Sequence, residues 1–88
     1  MSRYWHLFAS VEQGDAWFTL EMVTDHPHRP SVMEWTRWPE VQDRAGVARL
    51  DLTKGTHRIT PHIWQEITKK DYILMRARAG VLKKSGTE

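Results

Sequence analysis

The chain contains no cysteine, and that absence removes three chemistries at once: a disulfide framework, thiol nucleophiles and any zinc site built on thiolate. It also lacks long hydrophobic runs. The longest clear aliphatic run is Ile73-Leu74-Met75, against the roughly 20 apolar residues a membrane-spanning helix needs. Residues 1–6 (MSRYWH) have none of the apolar stretch of a signal peptide, so a cytoplasmic location and no membrane are expected. Catalytic signatures are missing as well. There is no Gly-x-Ser-x-Gly elbow, no phosphate-cradling glycine loop and no His-Glu-x-x-His helix, and no repeat or low-complexity tract.

What is present is the material of one small domain. A chain of 88 residues buries roughly 60% of the surface it exposes when unfolded, which leaves no room for a separate catalytic domain. We expect one compact domain over residues 1–82 and a polar tail over 83–88. The net charge is only +2, but residues 1–55 hold 6 Lys and Arg against 8 Asp and Glu, while residues 56–88 hold 7 against 3. The basic end, with Lys69, Lys70, Arg76, Arg78, Lys83 and Lys84, suits an acidic partner or simply solubilises a surface helix.

Residues 4–24 read as a β-hairpin. With the turn centred on Gln13-Gly14, Val11 faces Ala16, Ala9 faces Phe18, Leu7 faces Leu20 and Trp5 faces Met22, so one face is apolar throughout. The other face carries Tyr4, His6, Phe8 and Ser10 against Val23, Glu21, Thr19 and Trp17. A slip of one residue would turn the apolar set outward, so the partition between faces is strongly specified.

The next stretch, His26 to Pro30, is stiffened by two prolines. His26-x-His28 can chelate a metal from one loop, but metal sites need three or four ligands and no Cys helps. A stiff connection is the preferred reading, with no metal and no cofactor expected. Ser31 to Trp38 is read as a third strand, with a helix as the alternative, and Glu40 to Gly46 as loop or one turn of helix. Residues 47–59 pass the hairpin test again around Lys54-Gly55, with Leu50 facing Ile59 and Asp51 facing Arg58. Thr60-Pro61 has the form of a helix start, with Ile63, Ile67, Leu74, Ala77 and Val81 on one stripe and Gly80 as the stop. Thr68 to Asp71 also has the form of a capping box, which would break that segment near Thr68.

The expected fold is therefore α+β: an antiparallel sheet of four to five strands built from two hairpins, packed on one face by a C-terminal helix that is either continuous or broken near Thr68.

The tryptophans point to function. There are five, and Trp is both a core filler and the residue most enriched at binding hot spots. Trp5 and Trp64 fall on core sides. Tyr4, Phe8 and Trp17 share the outer face of the hairpin, exposed if the helix covers the opposite face and buried if the sheet curls or dimerises. Trp35, Arg37 and Trp38 add a ring-and-guanidinium surface.

Two classes of function follow. The first is a non-enzymatic binding module, a regulator or inhibitor docking through the aromatic face and basic helix on another protein, a component of a nucleic-acid-handling complex being one such partner. The alternative is direct binding of single-stranded RNA or DNA by stacking on Tyr4, Phe8 and Trp17. An enzyme comes third. His57 and His62 lack an orienting partner in the sequence, Asp51 and Lys54 point to opposite faces of a strand, and His6 with Glu21 reads as a cross-strand hydrogen bond.

Overall fold

The computed structural model describes residues 3–86, and side-chain surroundings as far as residue 77. It is an α+β fold with a three-stranded antiparallel sheet. Strands β1 (Tyr4–Gln13) and β2 (Ala16–Asp25) form the hairpin. Its loop is Gly14-Asp15, one residue later than the Gln13-Gly14 centre expected, and Gly14 at φ 60° takes the left-handed backbone required at the first position of such a turn. Each β1 residue accordingly faces a β2 residue two places farther on: Val11 faces Phe18, Ala9 faces Leu20, Leu7 faces Met22 and Trp5 faces Thr24. An even displacement leaves every side chain on its own face, so the apolar and mixed faces are those read from the sequence.

The third strand, β3 (Arg58–Ile67), pairs with the other side of β1, giving the order β2-β1-β3. Among the described residues there are three strands and not the expected four to five, and the second hairpin does not form. Val47 ends a helix, and Arg49 at φ 64°, with Leu50 N–H donating to the Ala45 carbonyl at 2.7 Å, closes it in a left-handed turn that drops Leu50 into the core. Asp51 does not face Arg58. The Gln13 side chain takes its backbone instead, Oε1 accepting from Asp51 N–H at 2.8 Å and Nε2 donating to its carbonyl at 3.0 Å.

Thr60-Pro61 does not open a helix. Pro61 lies in β3, where a neighbour on one side only makes a residue without an amide tolerable, and the strand bulges at this point. Phe8 faces Ile63 and Ala9 faces Pro61, which leaves His62 as the extra residue.

Ser31 to Trp38 is helical rather than a strand. The Ser31 hydroxyl accepts from Glu34 N–H at 3.1 Å and caps α1 (Val32–Thr36), and Pro39 opens α2 (Pro39–Val47), which takes in the Glu40–Gly46 segment expected as loop. Across both helices Trp35, Trp38, Val41 and Ala45 recur three or four residues apart, the helical period, and that stripe is what packs. Thr68 does act as a cap, its hydroxyl accepting from Asp71 N–H at 3.1 Å, and α3 (Lys69–Gly86) follows. The backbone of α3 passes Gly80, since one glycine weakens a helix by about 1 kcal/mol without ending it.

The core lies between the apolar sheet face (Trp5, Leu7, Ala9, Val11, Leu20) and a cover of Trp35, Val41, Ala45 and Leu50. The shield is thus α1, α2 and the loop after them, and not the C-terminal helix. Three of the packed indoles have an acceptor: Trp5 Nε1 donates to the His26 carbonyl (3.0 Å), Trp64 Nε1 to the Pro30 carbonyl (2.7 Å) and Trp35 Nε1 to Met22 Sδ (3.3 Å). Among the described residues no buried side-chain nitrogen or oxygen lacks a partner, which is what an interior of low polarity demands. Three of these bonds tie the 26–35 segment to the sheet, and they orient everything that follows.

Candidate functional site

The mixed face of the sheet is where the sequence places its docking rings, and α3 meets this face. Tyr4 lies against Tyr72, with ring centroids 4.7 Å apart and planes tilted 40°, and Arg76 donates to the Tyr72 hydroxyl at 2.7 Å. Phe8 packs on His62 at 5.3 Å, because the bulge brings His62 onto this face, where its Nε2 lies 3.1 Å from the Ser10 hydroxyl. Tyr4 and Phe8 are consequently half-buried. Trp17, near the hairpin tip on edge strand β2, is 67% exposed. His6 Nε2 meets Glu21 Oε2 at 2.8 Å; the two are diagonal rather than opposite, and the length of the glutamate closes the gap.

The other three expected docking residues do not join this face. Trp35 is fully buried in the core and presents no surface. Trp38 is half-buried against the core and packs on His26 at 5.4 Å. Arg37 is exposed and lines a groove of about 470 Å³ with Met33, Gln42, Leu52 and His57. Of the basic residues, Lys69, Lys70 and Arg76 are exposed; the side chains of Arg78, Lys83 and Lys84 lie outside the described residues.

Chemistry on the mixed face is limited. Ser10 and His62 stand at nucleophile-to-base distance, a pair created by the bulge and absent from the sequence reading. Among the described residues, however, no carboxylate bonds the second nitrogen of His62 to orient it as a base. His57 turns elsewhere, its Nδ1 bonded to the Lys54 carbonyl at 2.7 Å, so His57 and His62 engage separate partners.

Three carboxylates sit below their usual range. For Glu66, a bidentate bond from Arg3 outweighs desolvation; for Asp51, the hydroxyl and amide of Thr53 do so. For Glu34, desolvation is the largest single influence and pushes its pKa up, but the bond to His28, the nearby charges of His28 and His26 and the Ser31 backbone together carry it down. Glu34 faces both histidines: Oε2 is 3.4 Å from His26 Nε2 and Oε1 is 3.2 Å from His28 Nε2. The sequence reading missed Glu34 as the companion of the histidine pair because it placed residue 34 on a strand.

No helix among the described residues is long and apolar enough to cross a membrane. Comparison with protein-family models, with curated proteins and with solved structures finds no match.

Proposed function

We propose that this chain is a small non-enzymatic protein-binding module, of the regulator or inhibitor type, that docks on a larger protein through Trp17 near the hairpin tip and through the exposed surface of α3. The observation that carries the reading is Trp17: a large ring, 67% exposed, on an edge strand whose outer backbone groups have no neighbouring strand among the described residues. Strand β2 carries no lysine and no proline to discourage pairing, in contrast to β3 with Arg58, Pro61 and a bulge. On α3, Ile73 and Leu74 are each 53% exposed, apolar surface beside Lys69 and Lys70 that suits a protein partner with an acidic rim.

Single-stranded nucleic acid is the weaker reading. Two of its three stacking rings, Tyr4 and Phe8, are already occupied by Tyr72 and His62, and Glu21 stands on the same face.

A photo-crosslinking residue at position 17 tests the proposal in cell extract, with one at the exposed Val47 as control. The expected result is a discrete protein adduct at position 17 that survives nuclease treatment. An adduct that disappears with nuclease, or the same adducts from both positions, would overturn it. A low-salt titration with mixed oligonucleotides, read by Trp fluorescence, is expected to show no quenching.

A further inference from the structure

The segment that joins β2 to α1 carries a group of side chains that docking does not use. Pro27 and Pro30 stiffen a connection that bends at Pro27-His28 and sets the two imidazoles 4.4 Å apart, and the Ser31 cap sets Glu34 in the first turn of α1, so that its carboxylate returns to both imidazoles. The donor atoms of the three residues all lie within 4.8 Å of one another.

His26 Nδ1 donates to the His28 carbonyl at 2.8 Å, since that oxygen can only accept, and this leaves Nε2 as the ring nitrogen turned to Glu34. That arrangement, one ring nitrogen held by a backbone carbonyl and the other turned to the cluster, is how metal-binding histidines are oriented. The ring is held further by Trp38 on its face, and its backbone by the Trp5 indole.

We propose that His26, His28 and Glu34 form a three-ligand site for a divalent transition ion of the zinc class, bound through Nε2 of each histidine and one carboxylate oxygen. In a tetrahedral site with bonds of about 2.0–2.1 Å, adjacent donors are about 3.3 Å apart. His26 Nε2 stands 3.4 Å from Glu34 Oε2 and His28 Nε2 stands 3.2 Å from Oε1, each close to that edge but to different oxygens, so a turn of the carboxylate is what brings one oxygen to both imidazoles. Two imidazoles select against calcium and magnesium, which take oxygen. The fourth position falls to water, because no fourth ligand-bearing residue belongs to the cluster among the described residues. The ion would clamp the connection to α1 and hold that helix over the core.

The test is titration calorimetry of the full chain with zinc chloride after chelator treatment, beside thermal unfolding. One ion per chain is expected, with a Tm rise of at least about 5 °C at zinc a hundredfold above Kd and none with magnesium. His28→Ala, at an exposed side chain, and Glu34→Gln are each expected to weaken binding at least tenfold, while His57→Ala and His62→Ala leave it unchanged. Absence of zinc binding, an equal response to magnesium, one ion per two chains, or affinity lost in the His57 or His62 variants but kept in the other two would overturn the site.

Discussion

Trp17 and Trp35 are the same residue in opposite surroundings, and replacing each with alanine separates the proposed docking surface from the core. Trp35 is fully buried, with its edge on Trp64 at 5.4 Å and 78° and its indole N–H on Met22. Its removal leaves a cavity the size of an indole at the centre of the α1–α2 cover, and such truncations cost about 3–5 kcal/mol. A chain of 88 residues has roughly 4–13 kcal/mol in all, so Trp35→Ala takes about a quarter or more of the stability and lowers Tm by on the order of 12 °C or beyond. Trp17, 67% exposed, has little to lose, and Trp17→Ala is expected within about 0.5 kcal/mol of the parent. Urea unfolding followed by far-UV circular dichroism, which does not depend on which indole remains, measures both. Equal losses at the two positions would refute the reasoning, since they would mean that Trp17 is sealed in an interface of the protein alone and is not available to a partner.

Two further outcomes follow from the same contacts. Gln13→Ala removes the three side-chain bonds that hold Asp51 and Thr56 against the hairpin; a loss of about 1–2 kcal/mol is expected, with faster amide exchange at Asp51, and an unchanged urea midpoint would show that the loop stands without them. The depressed carboxyls of Glu34, Asp51 and Glu66 bind protons less readily folded than unfolded, so their stabilisation is present above the unfolded carboxylate range near 4 and drains away as pH falls through the lower folded values. Unfolding midpoints measured from pH 6 to pH 2 should show that decline, and Glu66→Gln should flatten part of it.

Reading the chain by local pattern worked where local pattern is decisive. The alternation in β1 is carried by side chains of one strand, and it assigned both faces correctly even though the turn sits one residue later than expected, because the displaced register moves partners by an even step. The Thr68 cap was legible for the same reason: a threonine and the amide three residues on need no help from elsewhere. Thr60-Pro61 shows the limit. Threonine followed by proline suits a helix start and an edge strand equally, and only the pairing of residues 58–67 with β1 makes it the second. The same competition reversed the assignment of Ser31 to Trp38. The site calls for both kinds of information: Trp17 and the histidine pair could be named from the letters, but the exposure of Trp17 was left open there, and Glu34 could not be placed beside the pair until residue 34 was known to be helical.

What the amino-acid sequence by itself determined is therefore the inventory and its alternation: no thiol chemistry, a hairpin with one apolar face, a capped C-terminal helix and a surplus of indole. Tertiary structure alone decided what covers that apolar face, since α1 and α2 bring Trp35, Val41 and Ala45 onto it while α3 goes to the other side. The physical reason is that an apolar strand face states only that it must be buried. Which segment buries it depends on chain length, turn closure and the fit of side chains far apart in sequence, and none of these is written at any one position.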